Sequence, residues 1–90
     1  AASNDIDVLT SVTLPSGLTS IEGYAFSDCD GLEEITLVPS ITTIGDYAFE
    51  YCDNLKTVYY RGSQSQWNVI SINYGNDPLK DANKIYNYSA

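Results

Sequence analysis

The fold is decided by residues 12–34, VTLPSGLTSIEGYAFSDCDGLEE, which run directly into residues 35–57, ITLVPSITTIGDYAFEYCDNLKT. Superposed at an offset of 23, the two segments share ten identities: Thr13/Thr36, Leu14/Leu37, Thr19/Thr42, Ile21/Ile44, Tyr24/Tyr47, Ala25/Ala48, Phe26/Phe49, Cys29/Cys52, Asp30/Asp53 and Leu32/Leu55. Unrelated segments of that length would share about one or two, so the chain contains a true internal repeat.

Working outward, a strand motif recurs: Leu9-x-x-Val12-x-Leu14, Leu32-x-x-Ile35-x-Leu37 and Leu55-x-x-Val58-x-Tyr60. Its last four positions alternate apolar and polar, which predicts a strand with one face buried. A second apolar pair, Leu18/Ile21 and Ile41/Ile44, predicts a short extended return. The Tyr-Ala-Phe triplet and the Cys three residues later then turn the chain back. A unit this short cannot bury its own apolar face and has to stack on its neighbours, with equivalent side chains about 4.7–4.9 Å apart. Phe26 and Phe49 are expected to stack in the core, each worth roughly 1.5–3 kcal/mol on burial. Leu14, Leu37 and Tyr60 form a second expected ladder.

These residues resemble the BspA-like leucine-rich repeats, the 23-residue class. The likeness rests on the strand motif, the Ser-Ile or Thr-Ile pair, the Ala-Phe pair and the Cys before the next Leu, over residues 9–60. It implies a leucine-rich-repeat solenoid, a right-handed, β-rich α/β superhelix, here of about three to four rungs. It also implies a secreted or cell-surface bacterial protein used for protein recognition or adhesion. The expected layout is residues 1–60 as repeats (12–34, 35–57 and a partial unit before 12), and 61–90 as a C-terminal cap.

That last segment reads independently as an ending. Gly62 breaks the pattern, and residues 63–70 suit one or two helical turns with Ser63 as N-cap. Trp67 and Ile70 share one face of those turns, with Trp67 as a core anchor. Residues 74–78 are turn-rich. Residues 82–87 offer a fourth strand, with Ala82-x-x-Ile85 in place of Leu-x-x-Ile. A polar, non-repeating tail fits the covering that a repeat stack needs at its end.

Composition narrows the function. Among 90 residues there are twelve acids, four bases and no His, for a formal charge of −8. Nucleic acid and anionic membranes are disfavoured partners, and no apolar run exceeds three residues, so neither a membrane-spanning segment nor a signal peptide is read in these residues. Without His, the usual general base and metal ligand are missing, and no catalytic constellation can be assembled. No cofactor or metal is expected. Cys29 and Cys52 are read as a buried ladder of reduced thiols packing as small apolar groups, because parallel side chains one repeat apart disfavour the twist of a disulfide. Asp28, Asp30 and Asp53 read as turn residues capping backbone N–H groups rather than a calcium site, since Tyr51 replaces Asp28 in the next repeat.

Surface aromatics carry the functional signal. In the expected register the outward positions are Ser11/Glu34/Thr57/Lys84 and Thr13/Thr36/Tyr59/Tyr86. Tyr59 and Tyr86 are then neighbours on the exposed face, with Arg61 beside them. The candidate ligand-binding set is Glu34, Thr36, Thr57, Tyr59, Arg61, Lys84 and Tyr86, for a protein or glycan partner. Alternatives are a carbohydrate-binding module using the same tyrosines and a structural spacer or cap. Asn87-Tyr88-Ser89 matches a glycosylation sequon and is read as coincidence.

At the other end Ser3–Asp7, before Leu9, offer no comparable cap, and more repeats are expected upstream. Leu9, Val12 and Leu14 would then end a ladder on an unpaired strand edge. Isolated, the 90 residues are expected to self-associate end to end. Light scattering over a concentration series checks this, and a strict monomer at high concentration would count against it.

Overall fold

A computed structural model describes residues 10–89. Two parallel sheets run through them. The first is four-stranded, built from β1 (Ser11–Thr13), β3 (Glu34–Leu37), β5 (Thr57–Tyr60) and β7 (Asn83–Ile85) in that order. The second is three-stranded, built from β2 (Ser20–Ile21), β4 (Thr43–Ile44) and β6 (Ser71–Ile72). Two single-turn helices, α1 (Gln64–Asn68) and α2 (Asp77–Asp81), lie in the non-repeating part.

The 23-residue period sets the register. Val12 pairs with Ile35 and Ile35 with Val58, while Ile21 pairs with Ile44. Alternation turns Ile35, Leu37, Val58 and Tyr60 inward, where all four are fully buried. Phe26 and Phe49 stack as expected, with centroids 5.2 Å apart and planes 13° from parallel. Leu9, the first residue of the first motif, lies outside the described residues.

Repetition extends to the turns. The N–H groups of Tyr24, Phe26 and Asp28 donate to the carbonyls of Asp46, Ala48 and Glu50, each at 2.8–3.1 Å. Tyr24 and Tyr47 both hold the left-handed conformation, at φ 62 and 58, and Asp28 and Tyr51 repeat it at φ 64 and 63. That region costs a tyrosine roughly 1–2 kcal/mol. The Tyr24 and Tyr47 rings stack with centroids 5.5 Å apart, which offsets part of the cost.

Beyond Tyr60 the period changes. Ser63 caps α1 as the sequence suggests: its hydroxyl accepts from the Gln66 N–H at 3.2 Å, and the Gln66 side chain accepts from the Ser63 N–H at 2.8 Å. Trp67 is buried against Tyr60, edge to face at 5.2 Å. Helix α1 adds residues, so Ile72 pairs with Ile44 at a spacing of 28. Gly75, at φ 76, then takes the left-handed place held by Tyr24 and Tyr47 in the repeats. A Cβ there would run into the Tyr47 ring, so the tyrosine stack ends on a glycine.

Asn76 comes next and is fully buried. Where Phe26 donates to a backbone carbonyl, the Phe49 N–H donates instead to Asn76 Oδ1 at 3.0 Å. Asn76 Nδ2 donates to the carbonyls of Gly45 and Asn73, both at 3.0 Å. One side chain thus satisfies backbone groups that another repeat would otherwise take.

The fourth strand corrects the expected register. Helix α2, which buries Leu79, returns the chain so that Asn83 pairs with Thr57, Lys84 with Val58 and Ile85 with Tyr59. Relative to expectation this is a slip of one residue, and a slip of one moves every side chain to the other face. Lys84 therefore ends an inward aliphatic row, and Tyr86 packs edge-on to Tyr60 at 6.4 Å rather than beside Tyr59. The Lys84 ammonium donates to the carbonyls of Lys80 and Ala82 and lies 5.8 Å from the Trp67 ring centre. Its apolar stem follows the core while its charge finds carbonyls.

Asn76→Ala is expected to lower stability by about 2–4 kcal/mol in urea unfolding, since a buried donor and carbonyls lose their partner. Asn76→Asp keeps the acceptor for Phe49 but sets a carboxylate against carbonyl oxygens. Its native pKa should rise above the ordinary ~3.9, so that variant should be most stable in acid and lose stability as pH climbs through the raised value. A loss below about 1 kcal/mol for Asn76→Ala would show that water replaces the side chain freely.

Candidate functional site

The outer face of the four-stranded sheet holds the aromatic cluster. Thr57, Tyr59 and Arg61 alternate outward along β5 and just past it, beside Glu34 and Thr36 on β3. The partner of Tyr59 is Tyr88, not Tyr86: their ring centres are 4.6 Å apart and tilted by 42°. Tyr88 arrives because Asn87 turns the chain in the left-handed conformation, at φ 56. The Asn87 N–H then donates to Gly62 at 2.8 Å, and the Tyr88 N–H to Tyr60 at 2.9 Å.

Arg61 is exposed, with its guanidinium carbon 5.6 Å from the Tyr88 ring centre. On the other side, the Tyr59 hydroxyl donates to Glu34 Oε2 at 3.3 Å. The Glu34 charge pushes the Tyr59 hydroxyl above the usual tyrosine range. Ile85, opposite Tyr59, keeps 40% of its surface exposed. The exposed face thus runs acid, tyrosine pair with an isoleucine, arginine.

Of the seven residues expected from sequence, Glu34, Thr57, Tyr59 and Arg61 lie on this face with solvent access. Thr36 faces outward but is only 7% exposed, flanked by Thr13 and Tyr59. Lys84 and Tyr86 turn inward. Burial pushes the Lys84 ammonium below the ordinary lysine range, with Asp81 pulling the other way. Tyr88 and Ile85 were missed, since both depend on a register that the tail sequence leaves open.

Elsewhere, a cleft of about 450 Å³ opens between Tyr47, Tyr51 and the carboxylates of Glu50, Asp53, Asp77 and Asp81. Among the described residues, no group of three or more His, Cys, Asp or Glu is arranged to hold a metal ion. Cys29 and Cys52 are buried thiols, and Cys52 Sγ donates to the Phe26 carbonyl at 3.0 Å. Burial pushes the Cys52 thiol up to about 12, far from the range in which a thiolate attacks. No described helix is long and apolar enough to cross a membrane.

The 23-residue repeat and its parallel strands agree with what comparison finds. The model of the BspA type leucine rich repeat region (6 copies) matches residues 4–75, and the chain belongs to that family. The crystal structure of a leucine rich cell surface protein from Faecalibacterium prausnitzii A2-165 is similar, with a TM-score of 0.67 and 44% identity. The match covers 70% of this chain and 17% of that one, so this chain corresponds to a small part of that protein. No curated protein matches.

The buried thiol has a consequence in alkali. A raised native pKa means the folded state keeps a proton that the unfolded thiol sheds near 9, so stability should fall as pH rises from 9 towards 12. Tyr60, raised by burial, adds to the fall above about 10, while Lys84, lowered, opposes it. Cys52→Ser should flatten the decline in thermal midpoint across that window. An unchanged slope would show that Cys52 does not contribute.

Proposed function

We propose that this chain is a non-catalytic recognition module of a secreted or cell-surface bacterial protein, binding a partner protein through its outer strand face in adhesion. The observation that carries the reading is the Tyr59–Tyr88 pair with Arg61 beside it on an exposed sheet. Tyrosine and arginine are the residues on which binding energy most often concentrates. The likeness to a leucine rich cell surface protein supports the location.

In this reading the two parallel ladders form a short right-handed solenoid of about three to four rungs. Residues 12–34 and 35–57 are its full repeats, with a partial unit before 12. Residues 61–90 form the cap, consistent with the Asn76 and Lys84 contacts at that end. Self-association through the first rung remains part of the proposal.

The test is an array carrying host-matrix proteins and glycans, probed with the 90-residue chain and a folded Tyr59→Ala/Tyr88→Ala variant. Protein binding that falls at least tenfold in the variant is the expected result. Glycan binding lost in the variant would favour a carbohydrate-binding module instead. Silence from the native chain would favour a structural spacer. Tyr86→Ala, by contrast, should lower the thermal midpoint, because its ring packs inward against Tyr60.

A further inference from the structure

Four cations serve the whole chain, and they are used differently. Lys56 lies 3.8 Å from Glu33 in an exposed ion pair. Lys84 is turned inward onto carbonyls. Lys80 is exposed on α2 and lines a different cleft, with Asp46 and Tyr74. That leaves Arg61 as the cation of the outer strand face. Among the described residues, no carboxylate lies within ion-pair distance of it, and its guanidinium rests against the Tyr88 ring. Glu34 likewise has the Tyr59 hydroxyl but, among the described residues, no cation.

Glu34 stands opposite Thr57, and Arg61 follows Thr57 by four residues. Their backbone positions are therefore about 13 Å apart along the strand direction, at roughly 3.3 Å per residue. Midway along that span stand the tilted Tyr59–Tyr88 pair and, beside Tyr59 on β7, Ile85. We infer that this strip takes an extended peptide segment of a partner protein bearing a carboxylate for Arg61, a cationic group for Glu34 and a central apolar side chain against Tyr59 and Ile85. The inference rests on the strand-face reading above and adds the chemistry of the occupant.

Charge complementarity carries the choice. An arginine lying against an aromatic ring keeps its planar fork of donors for a carboxylate, which it binds through two parallel hydrogen bonds. A four-residue spacing in an extended peptide spans the same distance and returns its end side chains to one face. A glycan fits less well. The rings are 42° from parallel rather than a flat platform, and Arg61 lies over Tyr88.

The test is NMR titration of the 90-residue chain with three synthetic peptides flanked by glycines: Lys-Ser-Leu-Ser-Glu, Glu-Ser-Leu-Ser-Lys and Gln-Ser-Leu-Ser-Gln. At least one of the two charged peptides should shift Glu34, Tyr59, Tyr88 and Arg61 and bind at least tenfold tighter than the neutral one. Arg61→Glu should remove that preference. Lys80→Glu, the same change of charge away from the face, should leave it intact. Thermal melts of both variants check folding.

Equal binding of all three peptides would overturn the inference. So would an equal loss in Lys80→Glu, no shift at millimolar peptide, or a neutral oligosaccharide shifting the same four residues. If Tyr59→Ala/Tyr88→Ala loses array binding while Arg61→Glu does not, the strand face stands as the site and the peptide chemistry falls. If neither variant changes array binding, both readings fall.

Discussion

The structure depends on one constraint: each turn of the chain satisfies its backbone polar groups on the next turn. The N–H groups of Tyr24, Phe26 and Asp28 reach the carbonyls of Asp46, Ala48 and Glu50, and the strands pair in parallel at the same offset. Between the repeats a constant count of 23 keeps those partners opposed, and past Tyr60 the inserted turns absorb the extra residues so that Ile72 still meets Ile44 and Lys84 still meets Val58. The apolar ladders follow, because a fixed period stacks Phe26 on Phe49 and Val12, Ile35 and Val58 in one row. Even the unfavourable φ of Tyr24 and Tyr47 is tolerated on this account, since stacked neighbours determine each other's backbone.

Any stack has to answer what becomes of its last set of donors. Here Asn76 puts a side-chain oxygen where the repeat has a backbone carbonyl, and its amide takes up carbonyls on the same turn. Gly75 lets the Tyr47 ring lie flat where another side chain would stand. Lys84 occupies the next place in an aliphatic row and carries its charge out to carbonyls. A further repeat laid on that row would have to cover an ammonium group. In the proposed reading of residues 61–90 as a cap, each device replaces an element of the repeat with something that does not propagate it, which is how a sheet edge is kept from pairing on.

What was legible in the sequence followed from periodicity. The 23-residue offset placed the strands, the Phe26–Phe49 stack, the buried thiols and the outward row through Thr57 and Tyr59. Ser63 announced α1 as an N-cap and Trp67 its buried face, while Gln66, which completes the capping box, was a further usable signal. Past Ile72 that guide was lost. Asn83 and Ile85 share one face and Lys84 and Tyr86 the other, so each face pairs a polar with an apolar residue and neither register is preferred; the choice is made by the one-turn helix α2 that brings the strand in. Pro78 near the start of α2 was a usable helix signal, since proline is favoured in a first turn. Nothing local announced Tyr88, which reaches the site through the left-handed turn at Asn87.

The same slip decides what kind of surface the sheet presents. With Lys84 and Tyr86 outward, the face would have carried two cations and a tyrosine pair between neighbouring strands. With both inward, one cation remains, and the second tyrosine comes from the tail after β7. The position held by Tyr59 is Thr13 in the first strand and Thr36 in the second, so the repeats themselves do not copy the aromatic pair. The cluster requires both the last full strand of the repeat pattern and the returning tail, and therefore arises once among the described residues. Residues that end the stack and residues that build the exposed patch are consecutive: Lys84 and Tyr86 close the core from within while Ile85 and Tyr88 face outward. A change in β7 register would exchange these roles, so the core packing of Lys84 and Tyr86 also fixes the outer surface.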